Sequence, residues 1–125
     1  MSPVPLLRVT VDRLEETWLI RASGELDRST AARLSSALDA ARAEGVTALL
    51  DLSAVSFIDS AGLRVLLRSA RATDVHDWAW FIVQASSAVW RLIELSDTRS
   101  QLPLVAQPRS LRIAPPKTAP LRLAG

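Results

Sequence analysis

Ser60 stands in the run Phe57-Ile58-Asp59-Ser60-Ala61-Gly62-Leu63, where apolar residues give way to a helical pattern. A hydroxyl at the start of a helix can take two roles. It can cap, because a short side-chain oxygen accepts a backbone N–H that the helix leaves free. It can also face solvent, here beside Arg64, and accept a phosphoryl group. Free N–H groups and the positive end of the helix dipole favour that dianion. The residues alone leave both roles open. A third chemistry, nucleophilic hydrolysis, would join Ser60 and Asp59 to His76, the one histidine. No G-x-S-x-G elbow surrounds this serine, so His76 is expected to be an exposed loop residue and no catalytic residue is assigned. One histidine, scattered carboxylates and no cysteine give no metal-ligand spacing. The four glycines contain no G-x-G phosphate loop. Neither metal nor cofactor is expected.

The elements that must position Ser60 can be read from hydrophobic period. Leu6–Val11 and Thr17–Ala22 suit two strands joined by a polar loop, and Gly24 breaks the second. Thr30–Ala43 reads as a helix with Ala31, Leu34, Ala37, Leu38 and Ala41 on one face. Asp27 or Ser29 can cap its start, and Gly45 ends it. Ala48–Leu52 is a buried strand, continued by Val55–Ile58 after a turn at Ser53-Ala54. A second helix runs from Ser60 to Ala72, with Leu63, Leu66, Leu67 and Ala70 inward. Ser60, Arg64, Arg68 and Arg71 share its outer face. Asp74–Asp77 is expected as a loop, Ala79–Val83 as a strand and Ser86–Leu95 as a third helix. Leu104-Val105 can add a last short strand. The order β-β-α-β-α-β-α predicts an α/β fold with a mixed, mostly parallel sheet of 4–5 strands.

The chain has 125 residues, enough for one domain. Two prolines open it and five fall in the last 23 residues, which sets residues 6–105 apart as the folded domain. Residues 106–125 are expected to be a Pro/Arg-rich tail, extended or disordered. No apolar run approaches the roughly 18 residues of a membrane span, and no secretory signal is expected. A cytoplasmic location follows. The pI of 10.4 suggests nucleic acid as a partner. The charge distribution argues otherwise. Residues 1–102 hold 11 arginines against 13 acids, a net −2, while the basic excess lies beyond them. The aromatics sit in apolar runs, so nucleic acid is not expected as a partner.

The segment Asp51-Leu52-Ser53-Ala54-Val55-Ser56-Phe57-Ile58-Asp59-Ser60-Ala61-Gly62-Leu63 resembles the signature of the STAS domain. Gly24-Glu25-Leu26-Asp27-Arg28-Ser29-Thr30-Ala31 is similar to that family's entry into its first helix. Ser87-Ala88-Val89-Trp90-Arg91-Leu92-Ile93-Glu94-Leu95 is similar to its third helix. The blocks lie in family order over residues 6–105. The resemblance implies the STAS fold and, among small stand-alone members, an anti-sigma factor antagonist. Such a protein binds a serine kinase that doubles as an anti-sigma factor, and so releases the sigma factor. Phosphorylation of the antagonist separates the pair, and a serine phosphatase reverses it.

Carried over, the phosphoacceptor is Ser60. Asp59 would order the turn, and Gly62 would permit close backbone approach or small packing. Asp27 and Glu25 would flank Ser60 and contact the partner. Arg64 and Arg68 would lie on the same docking helix. Arg64 departs from the family, where many members carry glycine. The loop before the fourth strand lacks the family's glycine and carries Trp78 and Trp80 instead. These two share one side of the strand, and an uncovered sheet face there would make a homodimer surface. The alternative reading is a constitutive STAS scaffold, in a signalling assembly or beside a transporter, with no phosphorylation.

Overall fold

The hairpin of β1 (Leu7–Leu14) and β2 (Thr17–Leu26) is followed by α1 (Ala31–Glu44) and β3 (Thr47–Ile58). Then come α2 (Ser60–His76), β4 (Trp80–Ala85), α3 (Ser87–Ser96) and a 3-10 turn at Arg99–Gln101. The computed structural model describes residues 6–105. The expected tail, 106–125, lies outside the described residues. The sheet order is β1-β2-β3-β4, with β1 antiparallel to β2 and the remaining pairs parallel. This is the expected mixed α/β fold in the expected order.

Two right-handed crossovers stepping the same way along a sheet put their helices on the same face. Accordingly α1 and α2 pack together. Beneath them lie Trp18, Ile20 and Ala22 of β2, Ala48, Leu50 and Leu52 of β3, and Trp80 and Ile82 of β4, all buried. Leu34 and Leu38 of α1 and Leu63 and Leu66 of α2 close the same core. The opposite face is less covered. There Arg21 bridges Asp12 and Asp51, each at 3.7 Å. β4 pairs with β3 only from Ala48 to Leu52, so the end of β3 runs past it. Helix α3 packs beside that free stretch.

The structure corrects several expectations. The hairpin turn is two residues, Glu15 and Glu16, with Glu15 at φ 46°. Asp12 and Arg13, expected in a loop, belong to the ladder opposite Leu19 and Trp18. An edge strand tolerates such polar residues at its exposed positions. The Arg13 guanidinium sits 4.7 Å from the Trp18 ring centre. Gly24 does not end β2. It lies inside the strand at φ +110°, where a Cβ would collide with the Leu6 carbonyl.

Nor does β3 turn at Ser53-Ala54. It continues, with two bulges against β2 between Arg21/Ser23 and Gly24/Glu25. Each inserts one residue and shifts the phase of the strand. The buried set is therefore Ala48, Leu50, Leu52, then Val55, then Ile58. Helix α2 continues through the expected loop to His76 and ends on Asp77, which is left-handed at φ 52°. Leu104 makes one parallel bridge to Ile82 and no strand.

Trp78 and Trp80 are buried, at 5% and 1% exposure. Their rings stack at 6.2 Å. The Trp78 indole N–H donates to the Val46 carbonyl at 2.8 Å, and that of Trp80 to the Ser69 carbonyl at 3.0 Å. They face the core, so the self-association surface expected of them does not exist. Trp80→Ala should cost about 3–5 kcal/mol by urea unfolding, the range for a large core truncation. Leu95→Ala, at a 77% exposed position, should stay within about 0.5 kcal/mol. A Trp80→Ala loss as small as that of Leu95→Ala would contradict the buried placement.

Candidate functional site

Two loops meet at the C-terminal end of β2 and β3. The first follows Leu26. Its chain turns at once because Asp27 folds its carboxylate back over the next residues. Asp27 Oδ1 accepts the N–H groups of Ser29 at 2.9 Å and Thr30 at 3.2 Å, and the Ser29 hydroxyl at 2.7 Å. Thr30 replies: its hydroxyl oxygen accepts the Asp27 N–H at 2.9 Å and donates to the Glu25 carbonyl at 2.7 Å. The exchange across D-x-x-T has the reciprocity of a capping box. The N-cap position of α1 is Thr30, whose side chain makes no capping bond into the helix, so neither Asp27 nor Ser29 is that cap; Asp27 holds the turn leading into α1 and Ser29 supports it. Thr30 is buried, and its role in this turn is a finding of the structure. Its spacing from Asp27 was the available signal. The Ser29 hydroxyl, chiefly, and the other donors hold the Asp27 carboxyl below its usual pKa of 3.8.

The second loop is shorter. Asp59, extended at φ −117°, is the N-cap of α2. Its Oδ1 accepts from Ala61 N at 2.9 Å and Gly62 N at 3.1 Å. Ser60 is therefore not the cap. It is the first residue of the helix, exposed, and its hydroxyl bonds to no described residue. Of the two roles open to it, the structural one is taken by its neighbour. The helix end also differs from the expectation of free donors, since two of its N–H groups already face a carboxylate.

Leu26 joins the loops. Its carbonyl accepts the Asp59 N–H at 3.2 Å, and its side chain is fully buried. Gly62 lies directly against it. A Cβ at Gly62 would come within 2.7 Å of Leu26 Cγ, 2.8 Å of Leu26 O and 3.0 Å of Ile58 Cγ1. Real Cβ atoms do not approach backbone so closely, so glycine here serves close packing. Asp27, Asp59, Ser60 and Gly62 are brought to one end of the sheet by this contact. Glu25 is exposed and pairs in register with Phe57, beside the junction but not within it.

Arg64 and Arg68 follow Ser60 on the outer face of α2, both exposed. Arg68 donates to the Ser35 hydroxyl of α1 at 3.2 Å. Arg64 bonds to no described residue. Both line a cleft of about 300 Å³ between the helices, floored by Ala31, Ala61 and Val65. A second cleft, of about 470 Å³, lies where β3 outruns β4. Phe57 and Leu95 line it and are exposed at 48% and 77%. The bulges that turn Phe57 outward were not legible from the sequence pattern. His76 ends α2 sixteen residues after Ser60, about 24 Å along the axis at 1.5 Å per residue. Ser60, Asp59 and His76 therefore do not assemble. Among the described residues no cluster suits a metal, and no helix is long and apolar enough to cross a membrane.

The STAS domain family model matches residues 8–108. The chain belongs to the STAS domain family. Its fold is similar to an anti-sigma factor antagonist from Mycobacterium paratuberculosis, 27% identical with TM-score 0.69, over 85% of this chain and 92% of that one. It is also similar to the Bacillus cell fate determinant SpoIIAA in its phosphorylated form, 18% identical with TM-score 0.60, over 84% and 97%. The murine anion transporter Slc26a9 carries a similar fold, 15% identical with TM-score 0.60, over 82% of this chain and 18% of that one.

Two predictions test how this STAS domain builds its loops. Asp59→Ala should lower stability by about 0.5–2 kcal/mol, and Asp59→Asn should recover most of it, because asparagine caps equally well. Chemical denaturation checks both. Asp27 has its pKa lowered by folding, so its contribution is full above the unfolded value near 3.8. It is lost as pH falls through the lower folded value. The stability difference between wild type and Asp27→Asn should be constant from pH 7 to 5 and should shrink below pH 4.

Proposed function

We propose that the chain is an anti-sigma factor antagonist switched by phosphorylation of Ser60. The observation that carries this reading is the division of labour at α2. Asp59 does the capping, which leaves the neighbouring serine exposed with an uncommitted hydroxyl. Similarity to antagonists along nearly their whole length supports the reading. Unmodified, the Asp27–Ser60 end docks on a serine kinase that also holds a sigma factor, and the sigma factor is freed. The kinase then uses ATP. The Ser60 oxygen bonds to the γ-phosphorus, the bond to ADP breaks, and the hydroxyl proton passes to solvent or a kinase base. A serine phosphatase restores the hydroxyl by hydrolysis. The work is cytoplasmic and needs no cofactor in the antagonist.

Charge explains the release. A phosphate adds about −1.5 to −2. It arrives beside Asp59, whose carboxylate already occupies the helix end, so the dianion meets a like charge there. In a docked interface it must also lose water. A penalty of about 3–4 kcal/mol weakens binding by some two to three orders of magnitude. The tertiary bonds of Leu26, Asp59 and Gly62 do not involve the Ser60 side chain, so the surface changes while the fold stands.

Ser60→Ala and Ser60→Asp test this against candidate kinase–anti-sigma proteins and ATP. Neither variant should take up phosphate. Alanine should bind like wild type, and aspartate should bind at least tenfold more weakly in titration calorimetry. Equal binding by all three would sink the switch and leave a constitutive STAS module, the reading favoured by the fold's recurrence within a transporter. Deleting residues 106–125 should not change kinase binding.

A further inference from the structure

The Arg64 guanidinium is one helical turn beyond Ser60 on the same face of α2, exposed, and bonded to no described residue. We infer that Arg64 is the internal counter-ion of phosphorylated Ser60, a positioning residue for the phosphate; this rests on the proposed phosphorylation of that serine. Residues four apart stack on one face of a helix, and every Cα–Cβ bond tilts toward the N-terminus. The Arg64 side chain therefore leans back over the turn that begins at Ser60. Nothing competes for it. Arg68, the next cation along, is already engaged by Ser35 at 3.2 Å.

The phosphate has few other partners. Asp59 holds the N–H groups of Ala61 and Gly62, so the helix end offers fewer donors than a free one. The charged groups around it are Asp59 beside it, Glu25, Asp27 and Arg28 in and beside the adjoining loop, and Arg64 and Arg68 along α2. The facing wall of α1 presents Ala31, Ala32, Ser35 and Ser36, none of them charged. Arg64 is the cation that shares a helix face with Ser60 one turn away, whereas Arg28 lies on a separate loop, and the Arg64 fork of N–H donors suits phosphate oxygens.

Drawing Arg64 back to the phosphate also changes the cleft between α1 and α2. The unmodified protein presents two guanidinium groups there, and the phosphorylated protein leaves Arg68 alone. Phosphorylation then alters a second part of the docking face, a turn away from the serine.

The test needs no kinase. Phosphoserine is placed at position 60 by genetic encoding, and the second phosphate ionisation is followed by 31P NMR titration at low salt. A helix pair of this spacing should lower that pKa by roughly 0.15–0.4 units relative to Arg64→Gln. Arg64→Glu should raise it further, Arg64→Lys should fall between arginine and glutamine, and Arg68→Gln should match wild type. Coincident titrations for wild type, Arg64→Gln and Arg64→Glu would overturn the inference. That result would leave the kinase switch standing, because the phosphate is installed synthetically. Conversely, the Arg64 shift can be present in a protein that no kinase labels.

Discussion

One contact holds the functional end of this molecule together: Leu26 against Asp59 and Gly62. The Leu26 carbonyl accepts the Asp59 N–H, and the absent side chain of Gly62 leaves room for Leu26 to pass. Everything that follows depends on it. Leu26 ends β2 and Asp59 ends the extended path of β3, so the bond is the last rung between the two strands. Beyond it the chains diverge, one into α1 and the other into α2. Two carboxylates are thereby set on neighbouring loops, Asp59 capping α2 and Asp27 holding the turn before α1, each bonded within its own loop. A serine between a cap and a packed glycine then has one direction left for its side chain, outward.

This arrangement keeps the Ser60 side chain apart from the bonds that build the site. The bonds that build the loops run through Asp27, Thr30, Asp59 and the main chain of Leu26. Ser60 contributes backbone and no side-chain bond. Covalent change at its oxygen therefore costs the fold little directly. Because Asp27 and Asp59 are carboxylates, they bring negative charge to the place where a phosphate on Ser60 would be added, and a serine or threonine in their place would not.

Much of the fold was legible because its period is regular. Alternation in β2 and β4 and the 3.6-residue repeat in α1 and α2 name their own buried faces. What escaped was set by tertiary partners. The two bulges in β3 slip its phase at Ser53 and again at Ser56, so a continuous strand reads as a broken one. Asp74–Asp77 is polar enough to suggest a loop, yet α2 carries those residues on its last turn before Asp77 ends it. Trp78 and Trp80 share a side by alternation, but alternation cannot say which side has helices above it. At the site, Asp59 and Ser60 are adjacent residues that can both cap. Only the extended backbone of Asp59 decides between them.

Local placement of charge also explains why the overall pI misleads about partners. The segment from 1 to 102 carries a net −2, and four basic residues beyond it produce the high value. Within the domain, several arginines are committed. Arg21 serves Asp12 and Asp51, Arg33 donates to the Leu7 carbonyl, and Arg42 pairs with Asp39. An arginine so held stabilises its neighbourhood and offers little to a partner. Arg64 differs because helix geometry gives it no acid at three or four residues' distance: Ser60, Ala61, Leu67 and Arg68 occupy those positions. A phosphate on Ser60 would supply the missing anion. The same spacing that leaves Arg64 without a partner on its own helix would set it one turn from that phosphate.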